Sequence, residues 1–214
     1  MIANNRRSRT KNQGASAALW GFVLGALCLL LSACALPGAA SGPPPTPTPP
    51  LAPYTAAIAT AEAGSDAKAQ AAAYYERGNV QLDASANAEA IADYDQAIAH
   101  DPIDARAFNN RALAYVALGQ PDQALADYAA ALKLAPGYLR AYENRLRLLE
   151  QRGDLAAMAA DYRQLAARDP AHTARYRYRE GSALYGLRDF ARARQANDAA
   201  ITADPQQSDA WYAR

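Results

Sequence analysis

Hydrophobic and small side chains recur with helical spacing along most of the chain. The segment 108–136 shows the pattern clearly, because two apolar stripes lie on either side of a short turn. The stripes consist of Phe108, Ala112 and Tyr115 in the first half and of Ala124, Tyr128 and Ala131 in the second. Both follow the i, i+3, i+4, i+7 spacing of an amphipathic helix. Gly119 and Pro121 between them favour a helix end and a helix start, so the segment predicts a helical hairpin.

The same pattern returns at a nearly constant interval. Segments of similar sequence end at Pro102, Pro136, Pro170 and Pro205, which are 34, 34 and 35 residues apart. A repeat length near 34 is typical of stacked helix pairs. Alanine is abundant, which also favours helices. The spacing therefore predicts an all-α array of helical hairpins.

Small residues stand at fixed positions within each unit. The first such position holds Gly78, Ala112, Leu146 and Gly181, the second Ala90, Ala124, Met158 and Ala193, and the third Ala97, Ala131, Leu165 and Ala200. A large residue of the second helix is Tyr94, Tyr128 or Tyr162 in three units and Asn197 in the fourth. This pattern resembles the tetratricopeptide repeat (TPR) family. The resemblance implies a right-handed superhelical solenoid of TPR helix-turn-helix repeats.

The resemblance also implies a division of the chain. It gives an alanine-rich helical lead-in, four TPR repeats, and then the start of a fifth repeat or a short cap. These are residues 54–70 for the lead-in, 71–104, 105–138, 139–172 and 174–207 for the repeats, and 208–214 for the end.

Two units depart from the pattern. The third places Leu146, Met158 and Leu165 at all three small positions. Because cores resist overpacking, we expect its helices, 138–152 and 154–168, to cross less tightly than the others. The fourth unit carries one extra residue, which we expect in the turn near 171–173.

The N-terminus has the pattern of a secretory signal. Basic residues at 6–11 precede an uninterrupted apolar run at 17–31. The following Leu31-Ser32-Ala33-Cys34 resembles the lipobox of bacterial lipoproteins. The resemblance implies a lipoprotein signal peptide at 1–33 and a lipidated Cys34. An uncleaved transmembrane helix from about residue 15 to 36 is the alternative, because that length can span a bilayer of about 30 Å. Both interpretations predict attachment to a bacterial cell membrane, facing the extracytoplasmic side.

Residues 34–53 join this anchor to the repeats. Proline is dense from residue 37 onward and favours extended polyproline II geometry. At about 3.1 Å per residue, such a linker reaches up to roughly 50 Å. A spacer is the preferred interpretation, and a PxxP docking site for a partner domain is the alternative.

Charge and composition exclude several classes of function. The formal net charge is only +1, although the segment 70–136 is acidic and 137–214 is basic. This balance argues against nucleic-acid binding. We find no catalytic motif, metal-ligand spacing or cofactor loop, so we expect no enzyme activity, no metal, no cofactor and no small-molecule substrate. The only cysteines, Cys28 and Cys34, lie in the N-terminal segment and cannot cross-link the repeats.

In the TPR family the first helix of each repeat lines a concave groove. The resemblance implies that the groove residues here are Tyr75, Asn79, Arg106, Asn109, Asn110, Arg140, Glu143, Asn144, Arg147, Arg175, Tyr178 and Arg179. Asparagine amides can bond a peptide backbone, and arginines can grip carboxylates. Some TPR proteins clamp a peptide C-terminus, but Tyr75 and Asn144 stand here where that clamp has basic residues. Glu143 and Arg147 also have the spacing of a helical ion pair.

These observations predict a membrane-anchored extracytoplasmic scaffold. It would bind a protein or peptide partner with acidic groups in its concave groove. The alternative is a self-associating assembly subunit of an envelope complex.

Overall fold

A computed structural model describes residues 50–206 and 208–213, which belong to a compact unit spanning 47–214. The expected signal peptide, Cys34 and most of the proline-rich linker lie outside the described residues. Within the described part, the chain contains α-helices and one short 3-10 turn but no strand. None of these helices is both long and apolar enough to cross a membrane.

The helices follow one another as consecutive antiparallel hairpins. They are α1 (Ala52–Ala63), α2 (Ala67–Asp83), α3 (Asn87–His100), α4 (Ala105–Ala117), α5 (Pro121–Leu134), α6 (Leu139–Arg152), α7 (Leu155–Arg168), α8 (Thr173–Gly186), α9 (Phe190–Ala203) and α10 (Ser208–Tyr212). Each helix packs mainly against its neighbours in sequence. The predicted all-α solenoid of helix pairs is therefore confirmed, and the four pairs are α2–α3, α4–α5, α6–α7 and α8–α9.

Local sequence sets the ends of these helices. Asp66 caps α2 by accepting a hydrogen bond from the backbone N–H of Ala69, and Asp154 and Asp189 cap α7 and α9 in the same way. Pro53 lies in the first turn of α1, where its missing N–H is not needed. As a result α1 begins at Ala52, inside the predicted linker, and α2 begins four residues before the predicted start of the first repeat.

The small positions allow the helices of a pair to approach closely. Ala112, Ala124 and Ala131 are fully buried in the second pair, together with Tyr128. In the first pair, a Cβ atom added to Gly78 would lie 2.8 Å from the ring of Tyr94. Glycine at this position therefore makes room for the tyrosine ring.

The third pair differs, as its larger side chains predict. Backbone contact between α6 and α7 is less extensive than in the other three pairs, and α7 packs more extensively against α8. Leu146 and Leu165 are buried in the cluster between α5, α6 and α7. The extra residue of the fourth unit is found in the 3-10 turn Pro170–His172, within the predicted region.

Buried ion pairs, which were not expected from the repeat pattern, join the two helices of the first three units. Arg77 bonds Asp93, Arg111 bonds Asp127, and Arg145 bonds Asp161, each through two guanidinium hydrogen bonds. The three aspartates are buried. Arginine suits this position because its planar guanidinium matches a carboxylate in bidentate fashion.

In the fourth unit, the first helix carries an acidic residue where the other units carry an arginine. Glu180 stands in the position of Arg145 and is buried, and Ala196 stands in the position of Asp161. Glu180 accepts hydrogen bonds from Arg163 of α7 at 2.6 Å and from Arg177 of α8 at 2.9 Å. The charge of the Glu180 carboxylate is therefore balanced by Arg163 of the preceding unit and by Arg177 of its own helix.

Candidate functional site

Asparagine side chains form a hydrogen-bonded ladder across the first helices of three units. The Asn144 amide donates to Asn109, Asn109 donates to Asn110, and Asn110 donates to Asn79, at 3.1, 2.9 and 2.8 Å. Asn79 also accepts from the phenol of Tyr94 at 2.9 Å. This ladder holds neighbouring α2, α4 and α6 in register.

The ladder corrects one prediction. Asn109 was expected to face the groove, but it is fully buried and both ends of its amide are bonded within the ladder. Its side chain therefore cannot contact a partner without breaking the ladder. Asn79, Asn110 and Asn144 are partly exposed, yet their amides also serve the ladder.

The predicted groove residues of the first two units bind each other. The guanidinium of Arg106 lies 4.9 Å from the ring centroid of Tyr75 and pairs with Asp104 at 2.8 Å. The Tyr75 hydroxyl accepts from Asn110 at 3.1 Å. These contacts leave little free hydrogen-bonding capacity in the N-terminal half of the groove.

The C-terminal half is different, because a recess of about 350 Å³ opens between α6, α7 and α8. We call it the cationic recess. It is lined by Glu143, Leu146, Arg147, Glu150, Tyr162, Leu165, Arg175, Tyr176 and Arg179. Four of the predicted groove residues, Glu143, Arg147, Arg175 and Arg179, are brought together here.

The three arginines of the cationic recess are exposed, and their guanidinium groups are available to a ligand. Among residues 50–206 and 208–213, Arg147, Arg175 and Arg179 form no side-chain hydrogen bond and no ion pair. The ion pair expected between Glu143 and Arg147 is likewise not formed. Burial raises the pKa of the Tyr162 phenol, while the charges of Arg179 and Arg175 oppose that shift. The recess thus presents three guanidinium groups and two carboxylates, those of Glu143 and Glu150, beside the partly exposed rings of Tyr162 and Tyr176.

Two other predicted residues lie outside the lining of this recess. Arg140 is exposed in the first turn of α6, and Tyr178 is half-buried on α8. Conversely, four lining residues were not expected at a site, namely Leu146, Tyr162, Leu165 and Tyr176. The repeat pattern gave Leu146, Leu165 and Tyr162 core positions. In the structure the two leucines are buried beneath the recess, and the rings of Tyr162 and Tyr176 are partly exposed to it.

Comparison with sequence families identifies the repeats. Family models described as tetratricopeptide repeat match residues 105–138 and 147–208, and a model described as TPR repeat matches 78–119. Comparison with curated proteins gave no significant match.

Solved structures share this arrangement of helices. YrrB, described as a TPR protein with an unusual peptide-binding site, is 26% identical with a TM-score of 0.52, covering 76% of this chain and 80% of its own. MamA is 16% identical with a TM-score of 0.54, covering 74% of this chain and 88% of its own. A tetratricopeptide repeat protein from Parabacteroides merdae is 19% identical with a TM-score of 0.52, covering 75% of this chain and 62% of its own.

The family matches together cover residues 78–138 and 147–208, the same stretch in which the structure shows consecutive helix pairs. This chain therefore belongs to the tetratricopeptide repeat family.

Proposed function

We propose that this protein is a membrane-anchored extracytoplasmic TPR scaffold that captures an acidic peptide segment in its cationic recess. The observation that carries the proposal is the set of three exposed guanidinium groups around one cavity that have no hydrogen-bond or ion-pair partner within the described part of the chain. An unpaired arginine gains charge-assisted, bidentate hydrogen bonds when a carboxylate approaches. The peptide-binding site described for YrrB supports a peptide rather than a small molecule as the ligand.

Charge layout supports the choice of the C-terminal half. The segment 137–214 carries a net positive charge, whereas 70–136 is acidic and repels carboxylates. Hydrogen bonding supports the same choice, because the asparagine ladder occupies the polar groups of the N-terminal half. The partly exposed rings of Tyr162 and Tyr176 offer an apolar surface that can contact a side chain next to the carboxylate.

A peptide array tests the recess. Each peptide with Asp or Glu is paired with a twin in which Asn or Gln replaces the acid. We expect the wild-type chain to prefer the acidic member of each responding pair, and Arg179→Glu to remove that preference. Arg140→Glu is the matched control, because it makes the same charge change outside the recess.

The result that would contradict the proposal is a chain that binds both members of each pair equally. An equal effect of Arg140→Glu and Arg179→Glu would also contradict it, since general attraction between charges would then explain binding.

The anchor is supported by Leu31-Ser32-Ala33-Cys34 and by the apolar run before it. Mass measurement of the N-terminal peptide should show a lipid on Cys34 and loss of residues 1–33. We expect Cys34→Ser to prevent both changes. A wild-type chain that keeps its N-terminus and carries no lipid would instead favour the transmembrane alternative.

A further inference from the structure

A separate recess, of about 350 Å³, opens between α7, α8 and α9. We call it the Glu180 recess, after the buried residue in its lining. The lining includes Arg163, Arg177, Glu180, Arg192, Gln195 and Ala196. None of these residues lines the cationic recess, which uses Arg175 and Arg179 on a different face of α8. The two recesses are therefore distinct sites.

The third unit has a recess at the equivalent position, but the balance of charge there is different. Arg145 and Asp161 line it, and they correspond to Glu180 and Ala196 after a shift of 35 residues. Its charged lining consists of Arg145, Asp154 and Asp161, so acidic groups outnumber basic ones. The Glu180 recess has three arginines and one acidic residue in its lining. Its lining is therefore suited to an anion, whereas that of the third unit is not.

The Glu180 carboxylate holds two of these guanidinium groups side by side. Nε of Arg163 donates to one oxygen of Glu180 at 2.6 Å, and Nη1 of Arg177 donates to the other at 2.9 Å. The Glu180 side chain is 3% exposed, while those of Arg163 and Arg177 are 47% and 29% exposed. An anion that enters from solvent therefore meets the two guanidinium groups before it meets the carboxylate.

Most hydrogen-bond donors of these two arginines remain available. A guanidinium group has five N–H donors. Among residues 50–206 and 208–213, the side chains of Arg163 and Arg177 form no hydrogen bond other than those to Glu180. Arg192 adds a third guanidinium group, which is 58% exposed and pairs with Asp189 at 2.5 Å. Because Arg163 and Arg177 share one carboxylate, positive charge exceeds negative charge in the lining.

We propose that the Glu180 recess binds a phosphate group, either as free phosphate or as the headgroup of a phospholipid. Planar guanidinium groups match phosphate oxygens with pairs of parallel hydrogen bonds. A phosphate group offers at least three acceptor oxygens and carries nearly two negative charges near pH 7. It can therefore accept hydrogen bonds from Arg163 and Arg177 together, whereas a carboxylate has only two oxygens to share between them.

The two sources of phosphate depend differently on the proposed function. A phospholipid headgroup is close at hand only if the chain is anchored to a membrane, so that source rests on the proposed anchor. Free phosphate requires no anchor. Neither source requires the acidic peptide, because the Glu180 recess shares no residue with the cationic recess.

Nuclear magnetic resonance of the full-length chain in a phosphate-free detergent tests the site. The Nε–H signals of Arg163 and Arg177 are followed while sodium phosphate is added at constant pH and ionic strength. Sodium acetate is the comparison ion. Arg163→Gln removes one guanidinium group from the recess, and circular dichroism checks its folding. Arg168→Gln is the matched control, because it makes the same change on α7 outside the recess.

We expect phosphate, but not acetate, to shift both arginine signals until they saturate. Arg163→Gln should weaken phosphate binding about tenfold, measured on the Arg177 signal, as loss of a hydrogen bond to a charged group predicts. Arg168→Gln should leave the dissociation constant unchanged. Arg179→Gln should also leave it unchanged, because Arg179 belongs to the cationic recess.

Nanodiscs of phosphatidylcholine, with and without phosphatidic acid, distinguish the two sources. A response to phosphatidic acid alone assigns the site to a lipid headgroup, and a response to sodium phosphate alone assigns it to free phosphate.

The inference is overturned if neither source shifts the arginine signals, or if acetate shifts them as strongly as phosphate does. Equal weakening by Arg163→Gln and Arg168→Gln also overturns it, since general attraction between charges would then explain binding. Weakening by Arg179→Gln alone would place the phosphate in the cationic recess and would overturn it as well. The peptide array decides the proposed function independently, because its variants leave the Glu180 recess unchanged.

Discussion

Replacing Asp127 with alanine should lower the free energy of unfolding much more than the same change at Asp122. Both residues lie in α5 and both pair with an arginine, so the substitutions are closely matched. The Asp127 side chain is 9% exposed and receives two hydrogen bonds of 2.7 Å from Arg111, whereas the Asp122 side chain is 85% exposed.

The magnitude follows from what each substitution leaves behind. Breaking a fully buried ion pair costs about 3–5 kcal/mol. Arg111 keeps a second partner in Asp95 and its side chain is 18% exposed, which reduces the penalty. We therefore expect a loss of about 2–3 kcal/mol for Asp127→Ala. Loss of an exposed pair at Asp122 costs at most about 1 kcal/mol.

Thermal and urea unfolding, followed by circular dichroism, measure the difference. For a chain of this size, a loss of about 2–3 kcal/mol lowers the melting temperature by about 4–12 °C. The double variant Arg111→Met with Asp127→Leu should recover most of the loss, because an apolar pair needs no compensation for a buried charge. Equal effects of Asp127→Ala and Asp122→Ala would refute the reasoning, as would a double variant less stable than Asp127→Ala.

Three further predictions concern charge and burial. Glu180→Arg should lower the free energy of unfolding, measured in urea, because it places three guanidinium groups together. Adding Arg163→Asp should restore part of that free energy, and no restoration would contradict the pairing of position 180 with Arg163. Hydrogen bonds from Arg192 hold the pKa of Asp189 below its usual range, so this carboxylate stabilises the fold above about pH 4, and the contribution is lost as pH falls through the folded pKa. Titration by nuclear magnetic resonance should show the low pKa, and Arg192→Ala should raise it, whereas an unchanged value would contradict the assignment. Burial raises the pKa of the Tyr94 phenol, so absorbance titration should show it ionising after the exposed tyrosines, and simultaneous ionisation would contradict its burial.

The repeat pattern predicts the fold well because it depends on side-chain size at fixed positions. Alanine at 112, 124 and 131 allows close crossings, and the leucines at 146 and 165 prevent one. The extra residue before α8 has an equally simple effect, since one added residue must lengthen a turn. Predicting these features requires only the side-chain volumes and the number of residues between fixed positions.

The candidate site is harder to predict because it depends on which way polar side chains turn. Arg111 and Asp127 are 16 residues apart, and this spacing recurs in the first three units, so the sequence did contain that signal. The asparagine ladder has no such signal, because an amide can face a groove or a neighbouring helix with the same spacing. Packing of α4 between α2 and α6 decides that Asn109 turns inward.

The limited backbone contact between α6 and α7 has a consequence for cooperativity. A repeat array opens first where contact between neighbouring helices is least extensive. Among α2–α9 that contact is least extensive between α6 and α7, inside a repeat, followed closely by the contact between α5 and α6. Helices α1–α6 and α7–α10 should therefore exchange their amide protons as two blocks of different stability. Because residues of both blocks line the cationic recess, an occupied recess bridges them, and the two blocks should then open together.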